Sequence, residues 1–318
     1  MPGPNILLMY EPSPAHLSAL QQAAPEAVIA AASCEQSARA AIAKADAVLG
    51  NRYFLQSLDA AERLRWMQSN SMGVDLLVES AARRQFVLTN ARGVYDDEVA
   101  DHALALVLAL ARGIPLACEQ QRRRVWQRPA LRALRGLRAL LLGWGGVARA
   151  IASRLHAFGV ELTAVRRSEC STPDERDPIP VLGATNAWRE LLPQTDVLIL
   201  ALPKTPQTVG LIGAHELAQL PRNALVINVG RGGTLDETAL LQALQSEQLG
   251  GAALDVFERE PLAHDSPLWQ APQLLITAHL GRSPELPPYR WEAIFIENLR
   301  RFATGAPLLN VVDHTAGY

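Results

Sequence analysis

Short apolar segments alternate along this chain with longer helical segments that are rich in Ala and Leu. Strands that are buried on both faces appear as continuous apolar runs, so the alternation predicts parallel sheets with helices on both faces. We therefore expect an α/β fold with two Rossmann-like, doubly wound sheets. The predicted strands are residues 6–10, 27–31, 47–50, 65–69 and 86–89 in a first series, and 137–142, 161–166, 197–202, 225–229, 252–256 and 274–277 in a second.

The length of 318 residues exceeds what one hydrophobic core usually organises, so two domains are expected. An amphipathic helix predicted at residues 290–304 is left over by the strand count, and we expect it to return to the first domain. A long helix is predicted over residues 97–126. Its segment 103–111 is apolar on every side, which places it between domains or between subunits and favours a homodimer.

The bulk composition favours a small-molecule partner. A net charge of −2 provides no general attraction to nucleic acid or an anionic membrane. No basic segment followed by an apolar run opens the chain, and its longest apolar stretch is about half of what a membrane span needs. Cys34, Cys118 and Cys170 lack metal-site or dithiol spacing. We expect a soluble, cytoplasmic protein with reduced thiols.

One segment fits a dinucleotide-binding turn. The predicted strand that ends at residue 142 leads into Gly-Trp-Gly-Gly-Val-Ala at residues 143–148, and a helical segment follows. Gly143 permits a tight turn, and Gly145 lets the backbone approach a pyrophosphate at the helix N-terminus. Ala148 fills the third position of the pattern, where a small residue allows close packing. This context favours a cofactor loop over an ordinary tight turn.

The end of the next predicted strand bears on the choice of cofactor. NAD enzymes have an acidic residue about 20 residues after the glycine loop, which accepts hydrogen bonds from ribose hydroxyls. This chain has Arg166, Arg167 and Ser168 there instead. Guanidinium groups and a hydroxyl are donors suited to a 2′-phosphate, so NADP(H) is favoured and NAD(H) is possible. The alternative is that both arginines are solvated in a surface turn.

Polar side chains also follow three predicted strands of the second series. Arg231 follows one strand, Asp255 and Glu260 lie at the end of the next, and His279 follows the last. Open parallel sheets bind ligands at the carboxyl ends of their strands. We therefore expect an arginine, two acids and a histidine to converge near a bound nicotinamide.

The reduction of a 2-oxoacid needs these residue types. Arg231 offers a planar cation for the substrate's carboxylate and ketone oxygen, and an imidazolium at His279 can protonate the developing alkoxide. A carboxylate at Glu260 would favour the charged ring and fix its orientation. No metal is required. Taken singly, the arginine fits a surface salt bridge and the histidine a structural role, but the nucleotide loop favours joint function.

Four segments resemble those of the D-isomer-specific 2-hydroxyacid dehydrogenases. They are Leu-Pro-Lys-Thr-Pro-Gln-Thr at 202–208, Asn-Val-Gly-Arg-Gly-Gly at 228–233, Gly-Ala-Ala-Leu-Asp-Val-Phe-Glu-Arg-Glu-Pro at 251–261 and Thr-Ala-His-Leu-Gly at 277–281. The resemblance covers nearly the whole chain and is densest over residues 140–281. Within the family, the arginines at 166 and 167 and the ending Ala-Gly-Tyr are similar to glyoxylate/hydroxypyruvate reductases.

The resemblance implies a role for each matching residue in the second half of the chain. Arg231 would bind substrate, Glu260 would be the partner of His279, and His279 would act as acid and base. Asp255 would contact the nicotinamide amide. The implied cofactor-binding residues are Gly143, Gly145, Gly146, Val147, Arg166, Arg167, Ser168, Pro203, Thr208, Val229, Gly230, Asp255, His279 and Gly281.

In the first half, the resemblance implies that the loop of residues 71–75 offers backbone N–H groups, with Met72 and Gly73 at the substrate carboxylate. Arg52 would reach the substrate or else lie on the surface. It also implies a flavodoxin-like substrate domain of residues 1–98 and 285–318, and an NAD(P)-binding Rossmann domain of residues 99–284.

The chain departs from the family pattern at three places. Ala148 replaces the usual third glycine, and Ala278 stands where proline is common before the histidine. Asp101 and His102 replace a more typical pair of glutamate and an aromatic residue. None of these changes removes a catalytic group, although the last would alter packing at the helix through which family members dimerise.

The sequence thus favours an NADP(H)-preferring reductase that converts a glyoxylate- or hydroxypyruvate-type 2-oxoacid into the D-2-hydroxyacid. One alternative is a nicotinamide-responsive binding protein, like the C-terminal-binding corepressors that share the fold and the same Arg, Glu and His. The chain lacks the extended tails or basic patch that would favour it. Another is an L-lactate or L-malate type dehydrogenase, whose glycine loop lies near the N-terminus, whereas about 140 residues precede it here.

Overall fold

A computed structural model of the chain describes residues 3–167, 179–183, 186–282 and 289–317. The chain divides into two compact units, unit 1 with Met1–Tyr95 and Pro284–Tyr318, and unit 2 with Asp96–Ser283. The strands are β1 (Asn5–Leu8), β2 (Val28–Ala31), β3 (Ala47–Leu49), β4 (Trp66–Gln68), β5 (Val87–Thr89), β6 (Arg138–Leu142), β7 (Glu161–Val165), β8 (Val181–Leu182), β9 (Val197–Leu200), β10 (Ala224–Asn228), β11 (Leu249–Leu254) and β12 (Leu274–Ile276). The α-helices are α1 (Pro14–Ala23), α2 (Glu35–Ile42), α3 (Phe54–Ser57), α4 (Asp75–Arg84), α5 (Asp96–Ala111), α6 (Ile114–Arg123), α7 (Gly146–Ala157), α8 (Ala214–Gln219), α9 (Glu237–Gln245) and α10 (Glu292–Thr304).

Unit 1 is built on five parallel strands in the order β2-β1-β3-β4-β5. This is the 2-1-3-4-5 order of flavodoxin-like sheets. Helix α10 belongs to this unit because Asn298, which is fully buried, donates through Nδ2 to Oε1 of Gln68 in β4 at 2.7 Å. The helix ends where Gly305 adopts a left-handed conformation, which glycine tolerates best.

Unit 2 is built on seven parallel strands in the order β12-β11-β10-β9-β6-β7-β8. The chain moves outward in one direction from β6 to β8 and in the other from β9 to β12. Beyond the carboxyl ends of β6 and β9, this reversal leaves the crevice in which sheets of this topology bind ligands. We call the carboxyl ends of the unit 2 strands the strand-end edge. The α/β class with two parallel sheets is confirmed.

Three details of the predicted elements were wrong. The long helix predicted over residues 97–126 is two helices, because Gly113 between α5 and α6 has φ 63°, a left-handed conformation that ends a helix. Strand β8 was not predicted, since a two-residue strand is too short to show periodicity. Strand β11 begins at Leu249, three residues earlier than predicted, because Gly250 and Gly251 obscure the apolar run.

Helix α5 packs within unit 2 against α7 and against the strands β10 and β11. Its residues Ala103, Leu106 and Val107 are buried, while Ala105 on the same apolar segment is exposed. Helix α6 buries none of its residues. Among the described residues, no single helix is long and apolar enough to cross a membrane; α5 and α6 pass that test only as a bent pair, by length and composition.

Candidate active site

The glycine loop forms the first turn after β6. Gly143 has φ 108°, and a Cβ atom there would lie 2.5 Å from the carbonyl oxygen of Ala201, at the end of β9. Only glycine suits this position. A Cβ on Gly145, by contrast, would meet no atom within 4 Å. The space beside Gly145 is therefore open, as a pyrophosphate-binding turn requires.

The first turn of α7 contains Gly146, Val147 and Ala148. Ala148 is buried, in agreement with the close packing expected of a small residue there. Val147 is half-buried. A Cβ atom on Gly146 would collide with the carboxylate of Asp96, the first residue of α5. Glycine at this position thus makes room for the Asp96 carboxylate beside the first turn of α7, a contact that the sequence did not reveal.

Arg166 and Arg167 follow β7 directly. The backbone N–H of Arg166 donates to the carbonyl oxygen of Leu182 in β8 at 2.9 Å, which fixes the backbone at this strand end. The Arg166 side chain is half-buried, and its Nε is a buried atom without a hydrogen-bond partner among the described residues. Arg167 is exposed. Ser168, the third predicted donor, lies outside the described residues.

The hydroxyl group of Thr208 bridges two backbone groups of the loop after β9. Oγ1 of Thr208 donates to the carbonyl oxygen of Pro203 at 2.6 Å and accepts from the backbone N–H of Thr205 at 2.8 Å. Thr205 is buried. Pro203 and Thr208, both predicted to contact the cofactor, thus hold the backbone of one loop that follows the strand beside β6.

Arg231 is held by its own loop after β10. Asn228, fully buried at the end of the strand, accepts from the Gly230 N–H at 3.1 Å and donates to the Arg231 carbonyl oxygen at 3.1 Å. A Cβ atom on Gly230 would lie 2.6 Å from the Leu202 nitrogen, so this loop touches the loop after β9. The half-buried Arg231 side chain donates through Nη1 to the Gly230 carbonyl oxygen at 2.8 Å, and Val229 is buried.

Glu260 and His279 form a direct pair. Nδ1 of His279 lies 2.7 Å from Oε2 of Glu260, whose Oε1 accepts from the backbone N–H of Phe257 at 2.9 Å. An ionised carboxylate only accepts hydrogen bonds, so Nδ1 donates and Nε2 is left to face a substrate. The His279 side chain is 51% exposed and the Glu260 side chain 36%, which leaves the ring accessible.

The loops that carry these groups come from adjacent strands. Arg231 follows β10, Glu260 follows β11 and His279 follows β12, and these strands are neighbours in the sheet. A Cβ atom on Gly232 would collide with the backbone of Phe257, so the first two loops touch. The structure thus brings the predicted catalytic set to one edge, together with the glycine loop at the end of β6.

Asp255 is a buried carboxylate at the end of β11. Burial alone would raise its pKa, but hydrogen bonds from His102, Thr277 and the backbone N–H groups of Leu280 and Gly281 lower the pKa to about 2. Asp255 is therefore ionised and fully engaged with the loop that carries His279. Its partners His102 and Thr277 were not among the predicted site residues; His102 lies 153 residues from Asp255, on α5.

The three predicted substrate residues of unit 1 follow β3 and β4. Arg52 is exposed, with Cζ 5.2 Å from the ring centroid of Tyr53. Met72 and Gly73 are half-buried, and the Met72 carbonyl oxygen accepts from Nδ2 of Asn90 at 3.0 Å. They lie where the parallel strands of unit 1 end. Among the described residues, no group of three or more His, Cys, Asp or Glu side chains is arranged to hold a metal ion.

A family model for the NAD binding domain of D-isomer specific 2-hydroxyacid dehydrogenases matches residues 104–281, more than half of the chain. The chain belongs to this family. Members are NAD(P)-dependent oxidoreductases, and the family expected from the sequence is confirmed.

Two relatives differ in the activity that their names state. A D-3-phosphoglycerate dehydrogenase of Archaeoglobus fulgidus is 31% identical over 259 residues, which are 80% of this chain and 48% of that protein. Glyoxylate/hydroxypyruvate reductase B of Yersinia pestis is 31% identical over 284 residues, 86% of each chain. The chain spans about half the length of the phosphoglycerate dehydrogenases that it matches.

Two solved structures match over almost their whole length. A D-isomer specific 2-hydroxyacid dehydrogenase from Xanthobacter autotrophicus, in complex with NADPH and MES, is 30% identical with a TM-score of 0.84, and covers 99% of this chain and 100% of its own. An NADPH-dependent glyoxylate/hydroxypyruvate reductase from Sinorhizobium meliloti, in complex with NADP and sulfate, is 25% identical with a TM-score of 0.83 and the same coverage.

Proposed function

We propose that the protein reduces a small 2-oxoacid to the D-2-hydroxyacid with NADP(H) as the preferred cofactor. The observation that carries this proposal is the 2.7 Å pair of Glu260 and His279, at the same strand-end edge as Arg231 and the glycine loop. The reduction of a ketone beside a carboxylate needs three parts: an acid held in place by a carboxylate, a cation for the substrate, and a turn that binds the dinucleotide.

The chain's own residues divide the chemistry between them. A bound dihydronicotinamide supplies the hydride. Arg231 binds the carboxylate and the ketone oxygen of the substrate, while Nε2 of His279 gives its proton to that oxygen as negative charge develops. Glu260 accepts from Nδ1 and so fixes the orientation of the ring. In the oxidative direction, the same imidazole would take the proton from the hydroxyl.

The preference for NADP(H) rests on Arg166 and Arg167. Nε of Arg166 is a buried guanidinium atom with no hydrogen-bond partner in the described part of the chain, and it is a donor that a 2′-phosphate would satisfy. No acidic side chain occupies residue 166 or 167 to accept from a ribose 2′-hydroxyl. NADPH and NADP are bound in the two solved relatives, which supports the same choice here. NAD(H) is the alternative cofactor.

The substrate class is proposed as glyoxylate or hydroxypyruvate. The names of the Yersinia and Sinorhizobium relatives state that activity, and this chain matches them over most of their length. It matches the phosphoglycerate dehydrogenases over only about half of their length. Met72, Gly73 and Arg52, all in unit 1, stay predicted substrate-binding residues.

The homodimer is also a proposal. Helix α6 buries none of its residues, and the segment from it to Leu131 presents four large apolar side chains. These are Ile114, Val125, Trp126 and Leu131, which are exposed by 51%, 46%, 97% and 46%. Such a surface is typical of a subunit contact.

A substrate panel with both cofactors tests the proposed function. Purified protein is mixed with NADPH or NADH and with glyoxylate, hydroxypyruvate, pyruvate or 3-phosphohydroxypyruvate, and the reduced-nicotinamide absorbance is followed. We expect turnover with glyoxylate or hydroxypyruvate and a higher kcat/KM with NADPH. Tight binding of NADPH without turnover on any 2-oxoacid would favour the nicotinamide-responsive binding protein, and preference for the phosphorylated substrate would contradict the proposed substrate class.

A further inference from the structure

His102, in helix α5, contacts residues at the strand-end edge. Its Nε2 lies 3.1 Å from Oδ1 of Asp255 and 3.1 Å from Oγ1 of Thr277, and the side chain is only 18% exposed. Neither α5 nor this histidine belongs to the loops that carry the proposed catalytic set. The contact therefore joins a helix to the loop between β12 and His279.

The proton on His102 can be assigned from its partners. Asp255 is ionised and can only accept hydrogen bonds, so Nε2 must carry a proton that it donates. The hydroxyl of Thr277 donates to the same Oδ1 at 2.6 Å, which leaves its lone pairs free to accept from His102. The three groups thus form one consistent network: the single Nε2–H of His102 is shared between Asp255 and Thr277, and Thr277 both donates and accepts.

The same carboxylate holds the backbone around His279. The N–H groups of Leu280 and Gly281 donate to Oδ1 and Oδ2 of Asp255 at 2.7 and 2.9 Å, and the N–H of His279 donates to the Asp255 carbonyl oxygen at 2.9 Å. His279 itself has φ 53°, a left-handed conformation that is less favourable for a residue with a side chain than for glycine. Asp255 holds this turn through the three hydrogen bonds.

We propose that His102 is a positioning residue for the reaction: by donating to Asp255 and Thr277 it fixes the carboxylate that holds His279 in its left-handed turn. His102 touches neither Glu260 nor the His279 ring by any described contact, so it acts through Asp255. Only the expected effect of His102 on kcat rests on the proposed function. The claim about the His279 loop can be tested without any substrate.

Substitutions that move or remove the donor test this inference. His102→Gln puts an amide N–H near the position of Nε2, His102→Asn puts it near Nδ1, and His102→Leu has no donor. Asp101→Asn is the matched control, because the neighbouring Asp101 is 70% exposed and pairs with Arg154 instead. Hydrogen–deuterium exchange of a peptide that spans residues 277–282 reports on the Leu280 and Gly281 amides, while kcat and the NADPH Kd report on catalysis.

We expect His102→Leu and His102→Asn to speed exchange in this peptide by about tenfold and to lower kcat by a similar factor, since one charge-assisted hydrogen bond is lost. The NADPH Kd should change by less than about twofold, and His102→Gln and Asp101→Asn should resemble the parent protein. Exchange and kcat unchanged in His102→Leu, or no rescue by His102→Gln, would overturn the inference.

The comparison stays decisive if His102→Leu does not fold, because Gln and Asn keep a polar side chain of similar size. Equal exchange in those two variants would mean that the donor position has no effect. If the parent protein reduces no 2-oxoacid, the proposed function fails, while the exchange rates still decide whether His102 holds the His279 loop.

Discussion

Asp255 is buried, charged and surrounded by donors, and its stability contribution should therefore depend on pH. The folded-state pKa of about 2 lies below the ordinary value of 3.8, so the contribution is present above about pH 4 and is lost as pH falls through about 2. The shift corresponds to roughly 2 kcal/mol at neutral pH.

We expect Asp255→Asn to lower the free energy of unfolding at pH 7 by at least roughly 2 kcal/mol, because its amide N–H group would also face donors. The difference from the parent protein should shrink between pH 4 and pH 2. Urea unfolding at several pH values measures it, with the exposed Asp265→Asn as control. A difference that is the same at pH 7 and pH 3 would contradict the account of this carboxylate.

Arg166 and Arg167 should decide the cofactor preference. Replacing them together by Asp and Ser removes two donors and adds a charge that repels a 2′-phosphate, so the ratio of kcat/KM for NADPH to that for NADH should fall by about 100-fold. The same exchange at Arg83 and Arg84, in the last turn of α4, is the control. An unchanged ratio in the 166/167 variant would refute the 2′-phosphate assignment.

At the scale of elements, Gly143 and Gly145 should fail in different ways. Gly143→Ala strains a left-handed residue and pushes a methyl group against the Ala201 carbonyl oxygen, so its melting temperature should fall. Gly145 has φ −92° and open space beside it, so the stability of the Gly145→Ala variant should stay within about 0.5 kcal/mol of that of the parent protein.

The two variants should also differ in what they reveal about the cofactor. The Gly145→Ala methyl group would occupy the space through which a pyrophosphate approaches α7, so NADPH binding should weaken by about tenfold or more in a fully folded protein. Calorimetric titration with NADPH and thermal melting separate the two effects. Normal NADPH affinity in Gly145→Ala would show that the pyrophosphate does not approach there.

The sequence predicted most elements because their signals are local. Apolar runs located the longer strands, and the strand ends placed Arg231, Glu260 and His279 at one edge. The break at Gly113 was missed although the sequence marks it: Pro115 follows two residues later, and a proline inside a helical pattern ends or kinks the helix. The donors around Asp255 could not be found, because His102 and Asp255 meet only through the packing of α5 on the sheet.

For the whole molecule, the exposed apolar side chains from α6 to Leu131 should hold two copies together. We expect sedimentation equilibrium to give a dimer, and Trp126→Ser to weaken the association because Trp126 is 97% exposed in one chain. Leu76→Ser removes a leucine that is 79% exposed in unit 1 and should leave the association unchanged. A monomeric parent protein would contradict the proposed dimer.

The central claim is that His279 is the proton donor. The most direct measurement is the single-turnover rate at which bound NADPH is oxidised on mixing with glyoxylate or hydroxypyruvate. For His279→Ala, we predict that the rate falls by about 1,000-fold while the NADPH Kd stays within about twofold. The exposed His264→Ala is the matched control and should react like the parent protein. A His279→Ala variant that reduces the 2-oxoacid at the parent rate, or that loses NADPH binding instead, would contradict the assignment of His279 as the acid.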